Sequence, residues 1–208
     1  VQYGFRSFDP QWVIGDARVL NDTRPELWSA FSVQQFYLTG LDAHAPTNGP
    51  AVTFTNRIPD QHHYKGSFGG RVFPLWRDAE ATRSNIEPAV LDALADAYGH
   101  PVPPEDAMAY IAAVLAHPAF TVRFADDLVQ PGLRVPLTAD ADLFAEAADL
   151  GREVIWLHCY GERFHDAAAG RPMAPPRLPQ GEGPVSYTHP PAPEPGRKPC
   201  CALLPATT

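Results

Sequence analysis

The stretch Ser84–Gly99, SNIEPAVLDALADAYG, marks the point where the hydrophobic pattern of this chain changes period. Ser84 precedes Glu87 by three residues, the spacing of a capping box. Val90, Leu91, Leu94 and Tyr98 then fall on one helical stripe, and Gly99 supplies a residue that can leave a helix through positive φ. The spacing predicts a helix that stops at Gly99. The residues before it read mostly as short strands, and after Arg83 the hydrophobic period becomes helical. Strands followed by helices define an α+β fold, here a mostly antiparallel N-terminal β-sheet followed by an α-helical half.

Upstream, aromatic and β-branched residues recur in short runs broken by Gly, Pro, Asn and Asp. VQYGFRSF, QWVIG, QQFYLT, AVTFTNRI and GRVFPLW are the predicted strands. In AVTFTNRI, Val52, Phe54 and Ile58 alternate with Thr53, Thr55 and Arg57, so one face is expected to pack and the other to meet solvent or a ligand. NDTRPELWSA suits a short helix with Pro25 in its first turn.

Downstream, Pro103 and Pro104 lead into EDAMAYIAAVLAH, with Met108, Ile111 and Leu115 at helical spacing before Pro118. Phe120, Phe124 and Leu128 repeat every four residues, and Leu143, Phe144, Ala147 and Leu150 form a stripe that ends at Gly151. REVIWLHCYGERF, apolar nearly all round, is expected to be a buried helix rather than a central strand. Eleven of the 24 prolines lie in the last 42 residues. Such a segment buries too little apolar surface to offset its ordering entropy. The expected division is a domain over 1–166, β-rich through 83 and helical from 84, and an extended or disordered tail over 167–208.

Charge is unevenly distributed. Residues 1–86 hold eight basic and eight acidic side chains, residues 87–166 hold four and fourteen, and residues 167–208 hold four and two. The acidic middle argues against non-specific nucleic-acid binding, which relies on a basic face to neutralise phosphates, and leaves any such role mainly to the first 86 residues. No window approaches the run of about 18 apolar residues that a membrane span needs. Three cysteines, two of them adjacent, make no disulfide framework, so a reducing cytoplasmic setting is expected. The start at Val1 reads as a piece of something longer, without a signal peptide.

Chemistry concentrates in Ile58–Arg71, IPDQHHYKGSFGGR. Adjacent His62 and His63 have no carboxylate or thiol at metal-ligand spacing, and GSFGGR lacks the GK[ST] ending of a phosphate-binding loop. A hairpin turn with Gly69 and Gly70 at positive φ is expected instead. Ser67 lies in no GxSxG elbow, Cys159 sits in apolar surroundings that make a thiol inert, and Asp126–Asp127 and Asp140/Asp142 fall at helix faces and starts. No catalytic residue is assigned. Arg57, Gln61, His62, His63, Lys65, Arg71 and Arg77 remain, a set of donors suited to phosphate oxygens and base edges, or to an ordinary solvated loop.

FRSFDPQWVIGD, TRPELW, IPDQHH, GGRVFPLW, SNIEP, EDAMAYIAAVLAHPAFTVRFADDL, LRVPLTADADLF and LGREVIWLH, in this order from Tyr3 to His165, resemble the C-terminal target-recognition domain of type ISP restriction–modification enzymes and related single-chain N6-adenine DNA methyltransferases. Two departures stand out. Pro10 and Gln11 replace two arginines usual in the family, and the proline-rich end, finishing KPCCALLPATT, does not resemble it.

The resemblance implies a bacterial-defence specificity domain that recognises a double-stranded DNA target. The nuclease, translocase and methyltransferase parts would lie elsewhere in a parent polypeptide. S-adenosylmethionine, ATP and magnesium would bind there, with no cofactor in this chain. On their loop chemistry and not on a family motif, the seven donors above are the expected DNA contacts, while Arg6, Asp9, Trp12, Arg24 and Trp28 are expected to form an internal framework of ion pairs and packed rings. An alternative is a scaffolding module that docks the methyltransferase or translocase domains.

Overall fold

The computed structural model describes residues 1–21, 23–41, 46–47, 49–64, 69–130 and 132–177. Among them, six strands precede the main helices: β1 (Gln2–Arg6), β2 (Asp9–Trp12), β3 (Tyr37–Leu41), β4 (Val52–Thr55), β5 (Ile58–Pro59) and β6 (Gly70–Pro74). A single turn, α1 (Pro25–Ser29), separates β2 from β3. The helical half comprises α2 (Pro88–Tyr98), α3 (Pro104–Ala116), α4 (Pro118–Arg123), α5 (Ala125–Leu128) and α6 (Ala141–His158). The α+β class is as expected, but the one sheet is two.

The first sheet has the order β2-β1-β5, with β1 antiparallel to β2 and parallel to β5, and the second has the order β4-β3-β6, all antiparallel. This arrangement corrects the expected hairpin between AVTFTNRI and GRVFPLW. Neither Gly69 nor Gly70 has positive φ. Gly70 is required for a different reason: a Cβ there would lie 2.7 Å from the Gly40 carbonyl oxygen, across the β3–β6 pairing.

The expectation of a solvent-facing side on β4 is also wrong. Val52, Thr53, Phe54 and Thr55 are all buried. Helix α6 covers one end, where His158 Nδ1 accepts the Phe54 N–H at 3.1 Å and lies 2.9 Å from Thr53 Oγ1. The Thr53 hydroxyl thus has a polar partner inside, as buried hydroxyls require.

Phe36, Leu38, Phe54, Leu75, Met108, Leu115, Phe144 and Ile155 belong to one core between the second sheet and the helices. Tyr110 stacks on Phe144 with ring centroids 4.8 Å apart. Buried Gln35 ties strand to loop, donating through Nε2 to the carbonyls of Ala30 and Trp76 and accepting the Trp76 N–H.

Three helical expectations change. Helix α2 ends at Gly99 with φ 74° as predicted, but no capping box forms; the Ser84 hydroxyl accepts the Ile86 N–H instead. The Phe120–Phe124–Leu128 repeat is broken at Phe124 into α4 and α5. Gly151 does not end a helix. Helix α6 runs through it, capped by Asp140, because Gly151 is where α3 crosses: a Cβ there would sit 1.7 Å from the Ala109 carbonyl oxygen. The buried face of α6 is therefore Phe144, Ala148, Gly151 and Ile155, while Leu143 and Leu150 point outward.

The compact unit spans Val1–Pro176, ten residues beyond the boundary expected at 166. Asp166 pairs with Arg171, and Trp156 Nε1 donates to the Pro172 carbonyl at 2.9 Å. The proline-rich tail from 178 lies outside the described residues.

Candidate nucleic-acid interface

Strand β5 leaves the first sheet at Pro59, and the adjoining Asp60 organises the turn beyond it. Asp60 accepts a hydrogen bond from the Tyr3 hydroxyl, from Arg6 at 3.2 Å and from the His62 backbone N–H at 2.7 Å, with His62 Nδ1 at 3.3 Å. Partial burial pushes its carboxyl up, but the Tyr3 and His62 hydrogen bonds and the Arg6 charge outweigh that and hold it below the usual carboxylate range. Burial and the same carboxylate drive the Tyr3 phenol up.

This local turn separates the two histidines. His62 stays partly exposed beside Asp60. His63 is driven inward to 2% exposure, where Nδ1 lies 3.0 Å from Thr39 Oγ1 and its carbonyl accepts from Ser7. Burial, then the proximity of His158, lowers its pKa to about 4. A ring so enclosed cannot reach a groove, so His63 is removed from the expected DNA contacts.

Arg57 is corrected for a similar reason. Its two terminal nitrogens grip Glu162 at 2.9 and 2.8 Å, and Nε donates to Gln2 at 2.8 Å. The Arg57 guanidinium, through those hydrogen bonds and its charge, holds the Glu162 carboxyl below its ordinary value. This fork-to-carboxylate pair joins the sheet to the turn after α6.

Gln61 is exposed, and its carbonyl accepts the Gly70 N–H at 2.9 Å. Together with His62 it lines a cleft of about 250 Å³ whose other walls include Tyr3, Arg24, Trp28 and Asp60. Arg24 stands at φ 40° and ψ 59° immediately before Pro25, a left-handed conformation that a residue preceding proline strongly disfavours. Arg71 is exposed on β6 opposite Gly40, on the same strand face as Phe73. Both line an apolar hollow of about 340 Å³ floored by Leu38 and Met108, with Asn85 also in its wall. Arg77 donates to Asn85 Oδ1 at 3.0 Å and lies 3.5 Å from Glu87. Lys65 lies outside the described residues.

The expected framework is rearranged. Arg6 pairs with Asp60 rather than Asp9, and stacks over the Phe5 ring at 4.0 Å. Asp9 accepts from Gln11, while Trp12 is 78% exposed and packs no framework. Trp28 is partly buried beside Gly15. Sequence reasoning missed Asp60, Glu162 and His158. Asp60 carries a legible signal, an Asx turn onto residue 62, but the Arg57–Glu162 pair spans 105 residues and has none.

A family model described as the type ISP C-terminal specificity domain matches residues 1–195. The chain belongs to that family. The match runs thirty residues past His165 into the proline-rich segment, further than the motifs reach, while 196–208, which hold the departing KPCCALLPATT, fall outside it. No curated protein matches the chain. Among solved structures, this specificity domain is similar to one described as a DrdV–DNA complex, at 23% identity and TM-score 0.64, over 78% of this chain and 16% of that one. It is similar to the type ISP restriction–modification enzyme LlaBIII bound to DNA, at 16% identity and TM-score 0.58, over 77% and 11%. A nuclease-deletion mutant of the type ISP enzyme LlaGI with a DNA substrate mimic aligns at 18% identity and TM-score 0.55, over 77% and 11%. The likeness is one of fold, and the chain spans 11–16% of the length of these proteins. Among the described residues no helix is long and apolar enough to cross a membrane, and no group of three His, Cys, Asp or Glu could hold a metal ion.

Proposed function

We propose that this specificity domain reads a double-stranded DNA target on behalf of a longer restriction–modification enzyme. The observation that carries the reading is the family match across 1–195. It is supported by the descriptions of the three similar structures, each of which includes DNA. Of the expected contacts, Gln61, His62, Arg71 and Arg77 lie at or near the surface among the described residues. Lys65 joins them on its sequence position alone. Cleavage, translocation and methyl transfer, with S-adenosylmethionine, ATP and magnesium, belong to parts of the parent enzyme outside this chain.

Arg71 is the proposed base reader, because it is exposed on a rigid strand instead of a long loop. A bidentate arginine–guanine contact discriminates by about 1–3 kcal/mol. In gel shifts with the full chain and a randomised duplex pool, binding should be selective and should weaken with salt. Arg71→Ala should relax preference at one position while leaving other positions intact. Uniform weakening would make Arg71 a phosphate contact, and absence of any binding at low salt would defeat the DNA reading.

A further inference from the structure

Helix α6 carries two apolar faces and the core uses one. Phe144, Ala148, Gly151 and Ile155 are buried. Leu143, Leu150 and Leu157 recur every seven residues on another face and are 53%, 62% and 40% exposed. Ala147 and Val154 lie between them, partly buried against the edge of the core. The spacing of the five is four, three, four, three, the alternation of a heptad seam with leucine at each d position and alanine or valine at each a position. What sets this stripe apart from scattered surface leucines is its regular heptad period, the pattern of a helix-packing seam.

The borders of the seam differ. On the a side the neighbouring positions, Phe144 and Gly151, turn into the contact with α3. On the d side stand Glu146 and Glu153, with Asp142 and Asp149 behind them, all exposed. Arg152 offers no relief, since its guanidinium is held by Asp106 and Asp149. We propose that this face of α6 docks one amphipathic helix from outside this chain, with leucine-like residues along its seam and lysine or arginine at the positions that meet the glutamate wall. A second copy of this chain fits poorly. Antiparallel pairing of two seams sets Glu146 of each copy toward Glu153 of the other, and parallel pairing leaves the glutamates facing no cation. This docking goes beyond the DNA reading and does not rest on it.

The test uses two labelled synthetic helices of about 21 residues, both with valine at a and leucine at d, one with lysine and the other with glutamate at e and g. Fluorescence anisotropy against the full chain should show saturable binding of the lysine helix, at least about tenfold tighter than its glutamate twin. The double variant Leu143→Gln, Leu150→Gln, on exposed positions and with unchanged circular dichroism, should lose that binding at least about tenfold. Glu146→Lys with Glu153→Lys should reverse the preference between the two helices. The proposal fails if neither helix binds, if the leucine variant binds as well as the parent chain, or if charge reversal leaves the preference unchanged. It also fails if sedimentation finds a dimer of the chain that the leucine variant dissolves, which would make the occupant a second copy.

Discussion

His63 and His158 are two imidazoles held inside the protein by surroundings that favour the neutral ring. His158 Nδ1 accepts a backbone N–H, so its proton sits on Nε2. Burial lowers both pKa values to about 4, against 6.5 for a free ring. The unfolded chain therefore binds more protons across that interval, and stability present above pH 6.5 is lost as pH falls toward 4. Each ring contributes on the order of 3 kcal/mol to the loss. Urea midpoints measured across this window should fall steeply, and His63→Asn should flatten the slope; a midpoint independent of pH would show that the rings are not enclosed as described. Arg57 gives a second prediction at this scale. Arg57→Ala should cost about 1–2 kcal/mol, moderated because half-exposed Glu162 is screened by solvent. It should leave DNA sequence preference unchanged, and altered preference in a gel shift would return Arg57 to the contact surface.

At the level of elements, the decisive contact is the crossing of α3 and α6. Gly151→Ala should force the helices apart at the Ala109 carbonyl and cost at least about 2 kcal/mol, even though alanine is the better helix former. A fall in urea midpoint at constant slope would measure it, and a rise would mean that propensity outweighs packing. The same crossing explains why the stripe Leu143–Leu150 is recognisable as apolar in the sequence and yet is assigned there to the core. Two stripes run along α6 offset by one residue, and periodicity alone does not say which one meets α3. The burial of Thr53 and Thr39 follows the same logic. Alternation correctly separates the faces of a strand, but it cannot foresee that His158 and His63 supply polar partners on the hydroxyl side.

At the scale of the whole molecule, the compact unit includes 167–176, which hold Trp156 Nε1, the carbonyl of Phe164 through Arg171, and the turn at Gly161. A chain ended at Asp166 should lose about 1 kcal/mol per missing hydrogen bond relative to one ended at Pro176. Equal thermal midpoints of the two truncations would place the boundary at 166 after all. Hydrophobic period and turn residues by themselves determine the α+β class and most element positions, and the order of short motifs carries the resemblance to type ISP specificity domains, because these are local properties written within a few residues. The division of the strands into two sheets, the inward turn of His63, the Arg57–Glu162 pair and the spare face of α6 were decided only by tertiary structure. Each depends on which distant surface arrives to cover a residue, and contacts between residues far apart in the chain leave no periodic trace in it.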